Sequence, residues 1–253
     1  MSAPEPFFIG WAKRPGPGLG RFLAVAALAV LAGLPLAGLV LGGLADDPAD
    51  ARFATMPGAV TLADLPQPAA LRGLLLEGPT PLLHLPADAA HPRGRTLLLS
   101  GDGKVGGPFD TAAAHGRMVA VDGFVLRRGS IEMLVSGTPP VLLDEPAPSP
   151  PAAEPLGRWR ITGEICDGKC AAGGMRPGIG LAHRACATLC LDGEIPAIFV
   201  ATQPIAGHAV LVLADARGGA PLPAFRDLVG RRVTLEGAVE RRADILVFRA
   251  ELP

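Results

Sequence analysis

The chain lacks an excess of either charge: 23 Lys and Arg stand against 24 Asp and Glu, a formal net charge of −1 over 253 residues. A nucleic-acid binder needs a basic face, so near-neutrality argues against that partner. Catalytic signatures are missing too. The sequence has no G-x-S-x-G, no Walker motif, no H-E-x-x-H and no G-x-G-x-x-G after a strand. Gly101-Asp-Gly-Lys-Val-Gly-Gly lacks the G-K-[ST] ending of a phosphate loop and reads as a hairpin turn. No small-molecule substrate is evident. With 33 glycines and 27 prolines the chain cannot be mostly long helix, yet 49% hydrophobic residues argue against disorder. Short strands joined by many turns meet both limits, so the expected class is mainly β.

One long apolar run is present. Phe22 to Leu44 spans 23 residues without a charge, and about 20 suffice to cross the hydrocarbon core as a helix. Pro35 and several glycines interrupt the run, which membrane helices tolerate. Lys13, Arg14 and Arg21 precede it, whereas Asp46, Asp47 and Asp50 follow it. The positive flank stays cytoplasmic, so residues 1–21 read as a cytoplasmic leader, 22–44 as a single inner-membrane span, and the remainder as periplasmic. Phe7, Phe8 and Trp11 suit interfacial positions in such a leader. The alternative is a cleaved signal peptide, with Gly43-Leu44-Ala45 as its small-residue site. Signal h-regions run about 7 to 15 residues, and this run is longer.

Residues 45–68 form a Pro/Ala/Asp linker, and 144–155, DEPAPSPPAAEP, a semi-rigid spacer. The blocks they separate, 69–143 and 156–253, share an ungapped pattern, G-R-x-V-x-[VL]-[DE]-G-x-V-x-R-R-x-x-I. It runs from Gly116 to Ile131 in the first block and from Gly230 to Ile245 in the second. Upstream, Arg95–Gly103 aligns loosely with His208–Ala216, and Leu71-Arg-Gly with Trp159-Arg-Ile. Short helices are expected at 109–115 and 223–228. Val119 and Val121, like Val233 and Leu235, alternate with polar residues as half-buried strands do. Arg127-Arg128 and Arg241-Arg242 read as solvated turn residues. The expected architecture is one transmembrane helix followed by two small OB-like β-barrels of about five strands each.

All four cysteines fall in the second block, at Cys166, Cys170, Cys186 and Cys190. They sit in an insertion without a counterpart in the first block, and such insertions commonly carry function. If 181–191 is helical, His183, Cys186 and Cys190 share one face. The Gly-rich stretch 173–180 lets the chain fold back, so that Cys170 meets that face and Met175 sits at the apex. Three readings follow. Two disulfides brace the insertion, pairing strand cysteines with helix cysteines. Or Cys170, His183, Cys186 and Cys190 hold a metal, with Cys166 and Met175 as further candidates. That set suits zinc, and Met175 would tilt it towards copper. Or the cysteines form a thiol redox site, although C-x3-C differs from the thioredoxin spacing. A Rieske site needs a second histidine and a C-x-H motif, which is absent. His84, His91, His115 and His208 are assigned to surface or loop.

The second block resembles a group of uncharacterised bacterial membrane-anchored proteins with the pattern G-E-[IV]-x-D-x-K-C, G-x-M-x-P-G, H-x-x-C-A-x-x-C and G-[IL]-P. Here it stands as Gly163 to Cys170, Gly173 to Gly178, His183 to Cys190 and Gly193 to Pro196. Phe7-Phe8-Ile9-Gly10-Trp11 before the apolar run is similar as well. The resemblance implies the same layout and a shared set of three cysteines and one histidine, because an aliphatic residue stands in that pattern where this chain has Cys166. The expected function is that of an anchored periplasmic subunit or accessory protein of a membrane redox complex, without enzymatic activity of its own. A disulfide-braced binding module and a small thiol oxidoreductase are the alternatives.

Overall fold

Pro17 opens helix α1 (Pro17–Asp46), and proline suits a first helical position because its missing N–H would have had no partner there. The computed structural model describes residues 16–46, 67–175 and 177–252. The leader residues Phe7, Phe8, Trp11, Lys13 and Arg14, the acidic flank Asp47 and Asp50, and most of the linker lie outside them. The helix starts before Phe22, so Arg21 lies within it. Its apolar part, Pro17–Val40, has 24 residues, about 36 Å at 1.5 Å per residue against a hydrocarbon core of about 30 Å. Phe22, Leu28, Leu31 and Leu39 point outward on different sides. A helix apolar all round is stable in apolar surroundings. By length and composition it suits a single-pass anchor, and equally a signal sequence. Met1–Asp47 forms one structural unit and Pro48–Pro253 another.

The second unit holds two closed barrels. The first is built from β1 (Gln67–Leu76), β2 (Leu82–Leu85), β3 (Arg95–Ser100), β4 (Met118–Arg128) and β5 (Ile131–Val135), with the short helix α2 (Thr111–Ala114) before β4 and the edge strand β6 (Val141–Leu142) beside it. Its strands close in the order β1-β2-β3-β5-β4, with β4 returning to β1. The second comprises β7 (Ala153–Asp167), β8 (Ala197–Ile205), β9 (His208–Ala214), β10 (Arg232–Arg242) and β11 (Ile245–Ala250). It closes in the order β7-β8-β9-β11-β10. In each, the third and last strands pair in parallel. This is an OB-like architecture used twice. Gly123 and Gly237 occupy matching places: a Cβ on either would collide with the neighbouring strand's backbone, at Val135 O and Arg249 O. That close approach explains the glycine in the shared [DE]-G-x-V phrase.

Strand register corrects the upstream alignments. Leu71 faces Val121 and Ile161 faces Leu235, so Leu71 corresponds to Ile161 and not to Trp159. Leu98 pairs with Met133 and Val212 with Val247, so Leu98 corresponds to Val212, one residue beyond the sequence match. The runs Leu97–Leu99 and Val210–Leu213 are buried without alternation, so nothing in their pattern fixes the register.

That continuous burial has a cause. Leu75, Leu83, Leu97, Leu99, Val119, Val121 and Leu134 fill the first barrel. Leu98, Leu126, Ile131 and Met133 point the other way and join one apolar cluster with Ile198, Val210, Val212 and Leu246 of the second barrel. The barrels are packed against each other, and the proline-rich stretch does not space them apart. It is also shorter than expected, because β7 already pairs Ala153 with Arg242 and Glu154 with Arg241. Arg127 and Arg128 are strand residues rather than turn residues, and Arg128 is buried. His84 is likewise buried, on β2, where Nδ1 lies 3.0 Å from Thr96 Oγ1. The short helices are smaller than expected: α2, and a 3-10 turn at Arg226–Leu228.

Candidate metal centre

Strand β7 carries Glu164, Ile165, Cys166 and Asp167 into the interior, all buried. Asp167 ends the strand and caps the turn that follows, its Oδ1 accepting from Cys170 N at 2.8 Å. A short π-helical turn, Cys170–Gly174, breaks at Gly173, where φ is 118°. Gly180 N donates to Glu164 Oε1 at 2.5 Å, which ties the returning chain to the strand it left. A 3-10 turn, Leu181–His183, then leads into α3 (Arg184–Asp192). The expected helix is therefore present in two parts, and His183 lies in the tighter first part.

This fold-back brings the sequence-derived set together, in two overlapping groups. The ligand atoms of Cys170, His183 and Cys186 lie within 4.8 Å of one another. Those of Asp167, Cys170 and Cys190 do the same. Cys170 is common to both, and its Sγ is 4.0 Å from Cys190 Sγ. All four cysteines are free thiols. A disulfide needs sulfurs about 2.05 Å apart, so the expected strand-to-helix bridges are not formed. Two thiolates on one tetrahedral zinc, with Zn–S near 2.3 Å, stand about 3.8 Å apart, close to the Cys170–Cys190 separation. Met175 is exposed and places its Sδ 3.5 Å from Cys186 Sγ. Cys166 belongs to another group, with Asp167 and His183. Its thiol donates to Gly178 O at 3.0 Å.

Three charged residues at the centre lie outside the sequence-derived donor set. Asp167 is fully buried, and its Oδ2 is 3.1 Å from His183 Nε2. Two lysines link the centre to the first barrel. Lys169 Nζ donates to Gly101 O at 2.5 Å and Gly103 O at 3.0 Å. Lys104 Nζ reaches back, 2.8 Å from Cys186 Sγ and 3.5 Å from Cys190 Sγ. The segment Gly101 to Gly107 is thus no hairpin turn; it follows β3 and lies against the cysteine insertion. Gly106 N donates to Gly193 O at 2.6 Å, and a Cβ on Gly193 would overlap Lys104 O. The one sequence signal was a glycine-rich loop with a lysine. Its contact depends on how the barrels dock, which no local pattern encodes.

The electrostatics follow from burial. Burial pushes the Cys170 thiol up from its ordinary value, and the Asp167 carboxylate adds to this. Cys190 is raised by burial first, then by Asp167 and Cys186, with Lys104 opposing. Cys166 is pushed well up by burial, then by Asp167 and Glu164. The hydrogen bond to Cys186 holds the Lys104 ammonium above the usual lysine value. Lys169 is lowered by burial, with Asp102 opposing. A donor set of three sulfurs and one imidazole is soft to borderline, as zinc and cuprous copper prefer. No protein-family model matches this chain, and no curated protein or solved structure matches it.

Proposed function

We propose that this chain is a membrane-anchored accessory protein whose second barrel holds one zinc or copper ion on Cys170, His183, Cys186 and Cys190. The observation that carries the reading is the convergence of Cys170, His183 and Cys186 within 4.8 Å, with Cys190 4.0 Å from Cys170. The Asp167–His183 contact supports it. A metal-bound histidine ordinarily gives its second ring nitrogen to a carboxylate, which fixes ring and tautomer. With Nε2 directed to Asp167, Nδ1 is the nitrogen left to bind a metal. Met175 beside Cys186 would supply a thioether and favour copper.

The helix α1 would be the anchor, and Lys13, Arg14 and Arg21 would hold its N-terminal side in the cytoplasm. Both barrels would then face the periplasm. There the protein would serve as a subunit or accessory factor of a membrane redox complex, a role that the apolar helix, the pair of barrels and the Cys/His insertion together support.

The test is metal analysis with free-thiol titration on the purified full chain. One equivalent of metal, lost on chelation with exposure of three or more reactive thiols, supports the reading. No metal and no free thiol overturns it in favour of a disulfide-braced binding module, and a metal-free reactive dithiol overturns it in favour of a thiol oxidoreductase. A reporter fused after Pro253 and active only in the cytosol would overturn the topology. Co-purification from membranes identifies the partner complex.

A further inference from the structure

Lys104 belongs to the first barrel, yet its ammonium lies among the sulfurs of the second, 2.8 Å from Cys186 and 3.5 Å from Cys190. The loop that carries it is held from both sides. Gly106 N bonds Gly193 O, and Lys169 Nζ bonds the carbonyls of Gly101 and Gly103. Gly193 permits the closest approach, because any side chain there would strike the Lys104 carbonyl. The backbone around Lys104 is therefore placed by contacts that do not involve its side chain.

Charge counting gives that side chain a purpose. Metals bind thiolates rather than thiols. Three thiolates and a neutral imidazole around a divalent ion leave one net negative charge; around a monovalent ion they leave two. Cys170, Cys190 and His183 are buried, and uncompensated charge is costly in such surroundings. An ammonium within N–H···S distance of two of the sulfurs offsets that charge.

We infer that Lys104 is a positioning residue of the metal centre: from the first barrel it supplies the positive charge that the loaded three-thiolate, one-imidazole set lacks. The centre is complete only where both barrels are docked. The inference rests on the metal reading above and adds a preference to it. The more negative the loaded set, the more it depends on Lys104, so monovalent copper depends on it more than zinc does.

The experiment uses the full chain in detergent, loaded with zinc alone or cuprous copper alone, with affinities from chelator competition. Lys104→Gln is expected to weaken zinc about tenfold, at the lower end of what losing an outer partner costs. It should weaken copper by a larger factor. Lys104→Arg keeps the charge and should recover most of both losses. Lys104 is exposed, so the metal-free unfolding midpoint should move little. Unchanged affinities in Lys104→Gln overturn the inference. So do equal losses for both metals without recovery in Lys104→Arg, which would mark a merely structural role. A wild-type chain that takes up neither metal overturns the metal reading itself.

Discussion

Replacing Asp167 probes the centre at its buried base. The carboxylate accepts from Cys170 N at 2.8 Å and meets His183 Nε2 at 3.1 Å, with no solvent exposure. In Asp167→Asn the amide oxygen can keep the Cys170 bond, but the amide NH2 then faces His183. The ring must present a lone pair at Nε2 and move its proton to Nδ1, which removes Nδ1 as a ligand. A hydrogen bond to a charged group contributes about 1.5–3 kcal/mol, so the Asn variant should lose about 2 kcal/mol of stability. Asp167→Ala orphans both donors and should lose about 3–6 kcal/mol, a large part of a typical total of about 5–15 kcal/mol. Urea unfolding followed by circular dichroism measures both. Metal affinity of the Asn variant should fall about 10- to 100-fold, as expected for a lost outer-shell carboxylate. An Asn variant with wild-type stability and wild-type metal affinity would refute the account of how Asp167 orients His183.

Gly193→Ala places a methyl group against Lys104 O; overpacking should cost about 1–3 kcal/mol and weaken metal binding by displacing Lys104, and an unchanged melting temperature would contradict the docking of that loop. Cys166→Ala removes the thiol that bonds Gly178 O; about 1–2 kcal/mol of stability should go, yet one equivalent of metal should remain, and loss of the metal would make Cys166 a ligand. Acidification should weaken the fold near neutrality. Burial lowers His84, with Asp244 opposing, and lowers His208, with Arg241 adding and Asp244 opposing. The unfolded chain therefore binds these protons more readily, so stability is full above about pH 6.5 and declines as pH falls below it. A urea midpoint no lower at pH 5.5 than at pH 7.5 would count against that burial.

Much of the fold was legible in local pattern. The apolar run from Phe22 to Leu44 announced α1 because a helix must be apolar over a membrane's thickness to be stable there. The paired phrases ending at Ile131 and Ile245 announced two barrels, since alternation and a glycine at Gly123 and Gly237 report a strand's two faces and a close backbone approach. The candidate ligands were legible for the same reason: His183, Cys186 and Cys190 follow a helical spacing, and glycines before them permit a return to Cys170.

The tertiary structure alone decided the rest. Leu98, Ile131 and Met133 face the other barrel, and a strand buried on both faces carries no alternation to betray its partner. In sequence Arg128 reads as a solvated turn residue and His84 as a surface or loop residue; both are buried, since burial is a property of what packs on a face. Lys104 sits in a glycine-rich loop that completes no phosphate-loop motif, and Asp167 is a fixed position of the G-E-[IV]-x-D-x-K-C pattern to which that pattern attaches no role. Their roles arise from distances of 2.8 Å to Cys186 and 3.1 Å to His183, and one of those contacts spans 82 positions of sequence. Short-range periodicity records which residues share a face; which faces meet is settled by the burial of whole surfaces.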